Sequence, residues 1–278
     1  MEKLLKISEF AALSGISRKL LIYYDNQGIL HPQKIDQENG YRYYSYHQLT
    51  TASVIVSLRQ TGVSLERIKT YLLERSPEKM IELFREQEKT LMEQMRKLEQ
   101  IRGMMQSRME YTAQGICVGQ EKVWTADCPE ENIFWGPSFP KEYEFTDFWE
   151  YLPAFYEACA AHNIQIGLTV GALTEYDKET GKLSDKPTRY FCSLPKQQYP
   201  AFHIKPAGRY VIGTKFMGYG FADTLYQRIF HYADAHGLQI CGDAYEEFLI
   251  DEIAERDENH YMLQISVPVE DRSHDHPF

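Results

Sequence analysis

The sequence predicts a multi-domain chain: an all-α winged helix-turn-helix head over residues 1–75, a long coiled-coil dimerisation helix over 76–112, and an α+β domain over 113–278. Three observations carry that division. Before Ser76, short amphipathic segments are separated by glycine turns. From Ser76 to Met109 one unbroken stretch repeats apolar residues at steps of three and four. Beyond it, runs with strand periodicity alternate with runs of helical periodicity.

In the head, Ile7, Phe10, Ala11 and Leu13 mark a short amphipathic helix. Gly15 supplies a turn, and Ser17 caps a second helix through Leu20, Leu21, Tyr24 and Asp25 to Gly28. After Pro32 comes a polar segment with Glu38-Asn39-Gly40, whose Asn-Gly pair favours a type I′ hairpin turn, followed by Tyr41-Arg42-Tyr43-Tyr44. This reads as a wing, in which an arginine among tyrosines suits contact with phosphate and packing on sugar edges. A tyrosine-rich core strand fits the same residues. Two more helices are predicted over Ser45–Gln60, stopped by Gly62, and Ser64–Glu74, with Leu49, Val54, Leu58, Ile68 and Leu72 available for one core.

Ser76-Pro77 starts the long helix, because serine can cap a free N–H and proline tolerates the first helical position. Its seam runs Ile81, Phe84, Glu88, Leu91, Met95, Leu98, Arg102, Met105 and Met109, with Glu82, Arg85, Glu86, Lys89, Glu93, Arg96 and Lys97 on the other faces. At 1.5 Å per residue such a helix is about 50 Å long, which exceeds what one core buries. A homodimer is the expected use of the seam.

The charge is unevenly placed within a net −10. Residues 1–75 hold 10 Lys/Arg against 7 Asp/Glu, residues 76–110 hold 7 of each, and the rest holds 13 against 26. Only the head suits a polyanion. No apolar run is long enough for a membrane span, so a cytoplasmic chain with no membrane partner is expected. The five cysteines, Cys117, Cys128, Cys159, Cys192 and Cys241, lack CxxC spacing, so neither a metal site nor a disulfide framework is expected. No cofactor is expected either.

The C-terminal part reads as strand Ile116–Thr125, helix Phe145–His162, strand Ile166–Tyr176 and strand Arg189–Leu194. Ala201–Lys205 opens a second half, with strand Tyr210–Met217, helix Phe221–His236, strand Ala244–Ile250 and strand His260–Val267. Two strand, helix, strand, strand units make an α+β domain. Strand alternation places Ala244, Glu246, Phe248 and Ile250 on one face, a carboxylate among apolar neighbours, while Glu247 faces the other way.

Residues 4–109 resemble the MerR family of transcriptional regulators. The resemblance lies in the order of the helix-turn-helix, Leu20 to Asp25, Gly28-Ile29-Leu30-His31-Pro32, Gly40 to Tyr44, the second helix pair and the long helix. It implies that Ser17, Arg18, Lys19, Tyr23 and Tyr24 lie on a recognition helix in the major groove of promoter DNA. Tyr41, Arg42 and Tyr43 would lie on a wing that grips the backbone. The family usually has arginine before the paired tyrosines, where this chain has Ile22, so one phosphate contact is missing there. The resemblance further implies antiparallel pairing of the long helices, and activation by distorting promoter DNA for RNA polymerase.

The C-terminal part resembles the GyrI-like effector-binding domain, most specifically at Ala207-Gly208-Arg209-Tyr210 and Gly242 to Asp251, and the combination resembles multidrug-sensing MerR activators. By that resemblance Glu246 is a pocket glutamate with Phe248 two positions on, facing a lipophilic, cationic or aromatic small-molecule effector. Met217 and Tyr261 match wall positions, and Tyr151, Trp149, Tyr210, Phe216 and Tyr219 are the expected neighbours. A structural salt bridge at Glu246 and plain core packing of the aromatics are the competing readings. The chain is expected not to be an enzyme. The other readings are a small-molecule hydrolase, as in some GyrI-like relatives, and a thiol-based metal or redox sensor.

Overall fold

A computed structural model of the protein describes residues 4–165, 167–195 and 199–272. The chain forms two compact units, one ending at Lys97 and one beginning at Leu98. Ile166, the first residue of one expected strand, lies outside the described residues.

In the first unit, β1 (Leu5–Lys6) leads into α1 (Ile7–Ser14) and α2 (Arg18–Asn26). A hairpin of β2 (Lys34–Ile35) and β3 (Arg42–Tyr44) follows, then α3 (Gln48–Gln60) and α4 (Leu65–Leu73). β3 is the central strand, with β1 and β2 on either side. The wing is therefore real, but its turn is not the two-residue type I′ turn. A six-residue loop connects the strands, Gly40 N–H donates to Asp36 C=O at 2.9 Å, and Gly40, not Asn39, takes the left-handed conformation at φ 71°. The Asp36 carboxylate accepts from Glu38 N–H at 2.9 Å, a local bond that competes with the tighter turn. The core forms around Phe10, stacked on Tyr44 at 4.5 Å, with Leu21, Ile55 and Ile68 fully buried beside them.

The long helix, α5, runs Pro77–Val118, six residues past the expected end at 112, and so takes Ile116–Val118 from the expected strand. Neither Gly103 nor Gly115 interrupts it, and Gly119, which adopts φ 57°, caps it through a bond to Gly115 C=O at 2.9 Å. The seam residues Met95, Leu98, Met105 and Met109 are all more than half exposed, an unpartnered apolar stripe. Arg102 pairs with Glu99 on its own helix.

The second unit continues with β4 (Val123–Cys128), β5 (Glu131–Ser138), a 3₁₀ turn (Phe145–Tyr151), α6 (Leu152–Ala161), β6 (Val170–Thr174), the small hairpin β7 (Tyr176–Asp177) and β8 (Lys182–Leu183), and β9 (Arg189–Ser193). Its second half holds β10 (His203–Lys205), β11 (Gly208–Phe216), α7 (Asp223–Ala235), β12 (Leu238–Ile240), β13 (Ala244–Ile250) and β14 (Met262–Asp271). One antiparallel sheet runs β10-β5-β9-β6-β13-β14-β11-β4, with β12 added against β14. β6 and β13 join the two halves.

Helices α6 and α7 pack on the same face of this sheet. Phe155 and Cys159 of α6 bury against Phe134, Tyr190 and Cys192, while Leu225 and Ile229 of α7 bury against Val211, Ala244 and Leu263. Gly213 lets α7 approach, because a Cβ there would sit 2.9 Å from both Leu225 and Ile229. The opposite face carries Ile133, Leu173, Phe191, Tyr210, Ile212 and Tyr245. The end of α5 lies on that second face, where Gln114 donates to Gln264 at 3.1 Å and a Cβ at Gly115 would sit 2.7 Å from Ile250 and 3.1 Å from Leu249.

Strand alternation holds along β13 only as far as Phe248. A bulge between Phe248 and Ile250 shifts the register, so that Phe248 pairs with Leu263 and Ile250 with Met262. Ala244, Glu246 and Phe248 share the helix-covered face as expected. Ile250 does not, because the extra residue turns it to the α5 side. Among the described residues, no helix is long and apolar enough to cross a membrane.

Candidate functional site

On the head, Ser17 Oγ accepts from Leu20 N–H at 3.2 Å and so fixes the start of α2. Arg18, Lys19 and Tyr23 are exposed along its outer side, while Tyr24 is buried in the core. The wing presents Tyr41 exposed, with Arg42 and Tyr43 half-buried. Arg42 Nε donates to Asp25 Oδ2 at 2.9 Å, and His31 Nδ1 lies 2.9 Å from Asp25 Oδ1. Partial burial of the Asp25 carboxyl opposes ionisation, but the bonds from His31 and Arg42 outweigh it and hold its pKa below the ordinary value. Helix and wing are thus latched by one carboxylate, with cations and tyrosines facing out from both. Ile22 is exposed on the same helix, where it offers no charge.

In the second unit a cavity of about 570 Å³ opens between α6 and α7 over β6 and β13. Glu246 reaches into it from β13. Its Oε1 accepts from Tyr226 Oη at 2.8 Å and lies 3.5 Å from Thr174 Oγ1. Among the described residues no lysine or arginine pairs with it. Burial is the main cause that pushes its pKa up to about 7, and the two hydroxyl bonds pull back only partway. Burial and the field of Glu246 in turn keep the Tyr226 phenol protonated.

Four of the nine expected ligand-site residues line this cavity: Glu246, Phe248, Trp149 and Tyr219. Trp149 meets Tyr219 edge-on at 5.0 Å, and Tyr219 meets Phe248 at 4.9 Å, forming an aromatic wall. Tyr219 also donates to the Glu252 carboxylate. The other five lie elsewhere. Tyr210 is fully buried on the opposite face, donating to Pro206 C=O at 2.7 Å, because alternation along β11 aims Val211 and Gly213 at α7 and so turns Tyr210 away. Phe216 has the same parity and takes no part in the wall. Tyr151 stacks on Phe139 at 4.9 Å in the layer under α6. Met217 packs into the α7 core, and Tyr261 sits buried behind Tyr219, 5.7 Å away.

The cavity also uses residues that sequence reasoning missed. Tyr226 and Phe230, one helical turn apart on α7, supply a second aromatic edge with rings 5.8 Å apart. Tyr226 was within reach of a periodicity argument, since it sits on the face of α7 between Asp223 and Phe230. Thr174 was not, because its approach to Glu246 depends on the β6–β13 register that pairs Ala244 with Thr174. Arg108 of α5 borders the cavity, where it pairs with Asp251 and donates from Nε to Gly167 C=O at 2.8 Å.

Glu247 does face the other way, into a buried polar cluster. Its carboxylate accepts from Tyr111 Oη of α5 and lies 3.5 Å from Lys205 Nζ, which is 3.2 Å from Glu131 Oε1. Ser193 Oγ bridges both acids. Burial works against the Lys205 ammonium, yet the fields of Glu247 and Glu131 more than offset it and keep the pKa above the ordinary value. Neighbouring residues of one strand therefore serve the cavity and the helix that leaves it.

Residues 5–75 match the family described as MerR HTH family regulatory protein. The chain is similar to the multidrug-efflux transporter 2 regulator of Bacillus subtilis (strain 168), at 25% identity over 276 residues that cover 95% of this chain and 97% of that one. The multidrug-efflux transporter 1 regulator of the same organism is 32% identical over 121 residues, 41% of this chain and 43% of its own. Among solved structures, EcmrR in a cryo-EM complex with DNA aligns over 96% of this chain and 100% of its own, at 22% identity and a TM-score of 0.40. Residues 5–75 are thus a MerR-type helix-turn-helix regulatory domain, and the whole chain is similar in sequence, end to end, to a multidrug-efflux regulator.

Proposed function

We propose that this regulator is a homodimer that senses lipophilic cations and activates transcription by distorting promoter DNA for RNA polymerase. The observation that carries the ligand reading is Glu246, a carboxylate set among aromatic rings with hydroxyl partners and, among the described residues, no cation paired with it. Withdrawing an acid from water this way is costly, and a cationic guest offsets the cost while the rings add cation–π attraction of about 0.5 to 2 kcal/mol each. Dimerisation is supported by the exposed stripe of Met95, Leu98, Met105 and Met109. The recognition helix would be α2, with Ser17, Arg18, Lys19 and Tyr23 turned to DNA and Tyr24 buried beneath them, and the wing would present Tyr41, Arg42 and Tyr43. Ligand binding would change which DNA shape the dimer favours.

The test is chemical footprinting of the full chain on a promoter fragment that it selects from genomic DNA, with and without tetraphenylphosphonium. The same half-sites should be protected in both states, with new reactivity at the centre of the spacer only when the cation is bound. An identical pattern in both states, with cation binding verified separately, would rule out ligand-driven distortion. On the DNA side, Arg42→Ala should weaken binding and make its salt dependence shallower by about one phosphate. An unchanged slope would take Arg42 off the backbone.

A further inference from the structure

Among the charged groups that line the cavity with Glu246, Lys186 is held by a backbone carbonyl and not by a carboxylate. Lys186 lines the wall between β8 and β9, partly buried, and among the described residues it forms no ion pair. Its Nζ donates to Tyr143 C=O at 2.8 Å and lies 5.3 Å from the Tyr143 ring and 5.8 Å from the Phe221 ring. The anchor is itself fixed. Tyr143 is buried and donates its hydroxyl to Pro187 C=O at 2.6 Å, so Tyr143 and the Lys186-Pro187 segment clamp each other at two points. Thr188 N–H then ties the same segment to Leu173 C=O of β6 at 2.7 Å.

Two other cations line the cavity, Lys182, which is exposed to solvent, and Arg108, and the arrangement at Lys186 differs from both. Arg108 is bound to Asp251 and to two backbone carbonyls, so its charge is spoken for. An ammonium has three N–H groups, and the carbonyl of Tyr143 takes one of them. Lys186 also leaves Glu246 uncompensated: the charged neighbour that acts on that carboxyl is Asp223, which disfavours its ionisation. The cavity therefore has an acidic pole and a basic pole that do not satisfy each other, with aromatic walls formed by Trp149, Tyr219, Phe221 and Phe248.

We infer that the preferred ligands are aromatic ampholytes, whose basic amine sits at Glu246 and whose carboxylate sits at Lys186. The inference rests on the reading of Glu246 as the cation site and adds an anion site to it. Each pole would make a charge-assisted hydrogen bond in a partly desolvated setting, where such bonds are roughly twice as strong as neutral ones. A purely cationic guest would use half of the machinery and leave Lys186 facing its apolar part.

The experiment is calorimetric titration of the full chain with norfloxacin, which carries an aryl carboxylate and a piperazinium, and with its ethyl ester, which keeps only the amine charge. Wild type, Lys186→Gln and Glu246→Gln are compared. Lys186→Gln should weaken norfloxacin at least tenfold and leave the ester within twofold, and the unchanged ester affinity also shows that the cavity is intact. Equal losses for acid and ester, no loss for the acid, or failure of norfloxacin to bind the wild type would each overturn the anion site. Glu246→Gln reports on the underlying reading separately. It should weaken both compounds, and an ester that binds it as well as wild type would remove Glu246 as the cation site without touching the Lys186 comparison.

Discussion

Glu246→Gln should make the unliganded protein more stable and the cation site at least tenfold weaker. The stability effect has a definite pH dependence. Glu246 has a pKa of about 7 in the folded protein against an ordinary value of 4.5, so between those values the folded chain holds a proton that the unfolded chain has released. Its contribution to stability is fully present below about pH 4.5, is lost as pH rises toward 7, and stays lost above it. The gap corresponds to at most about 3 kcal/mol, and the opening of the cavity to solvent brings the expected gain nearer 1 to 2 kcal/mol. Glutamine does not titrate, so thermal melts of variant and wild type should nearly coincide at pH 5 and separate at pH 8. Tetraphenylphosphonium should bind wild type more tightly at pH 8 than at pH 6, because the ionised carboxylate is the binding form, and should lose that dependence in the variant. A melting gap of the same size at both pH values would show that another group titrates.

The largest loss of stability is expected at Lys205→Met. Lys205 is 3% exposed and stands between Glu247 and Glu131, so methionine keeps most of the volume but strands the buried Glu247 carboxylate and takes the cation from the partly exposed Glu131. Breaking one side of a buried ion pair costs about 3 to 5 kcal/mol, most of it the cost of the charge left behind. Urea unfolding should show a lower midpoint with an unchanged slope. A change below about 1 kcal/mol would mean that water already reaches the cluster.

The main divisions of the fold were legible because they rest on local chemistry. The caps Ser17 and Ser64, the Gly15 turn and the α5 seam state their roles within a few residues of themselves. β13 was predicted to the residue. β5 was missed because Pro137 interrupts its pattern, although the sheet accommodates it where the β5–β9 register shifts between Trp135 and Ser138. The end of α5 was misplaced because Ile116–Val118 also fits a strand, and tertiary contacts at Gln114 and Gly115 decide the matter. In the cavity, Glu246 was readable from its setting in an apolar strand. Tyr210 was placed on the wrong side because aromatic character says nothing about parity, and parity is set by which residues of β11 face α7. Lys186 and Tyr143 were invisible: they are 43 residues apart and meet through a loop and a backbone carbonyl.

The bulge at the end of β13 acts like a frameshift within a strand. Upstream of it the even-numbered side chains look into the cavity; at it Ile250 is handed to α5, and Asp251 and Glu252, just past the strand, are delivered to the rim. Deleting Leu249 would restore the original frame at the cost of both placements. Ile250 would swing to the rim, Asp251 would be driven against the α5 backbone at Gly115, and Arg108 would lose its counter-ion. One supernumerary residue thus lets a single strand send an acid into the cavity from its middle, give the outgoing helix an apolar foothold at its end, and deliver the next acids to the rim.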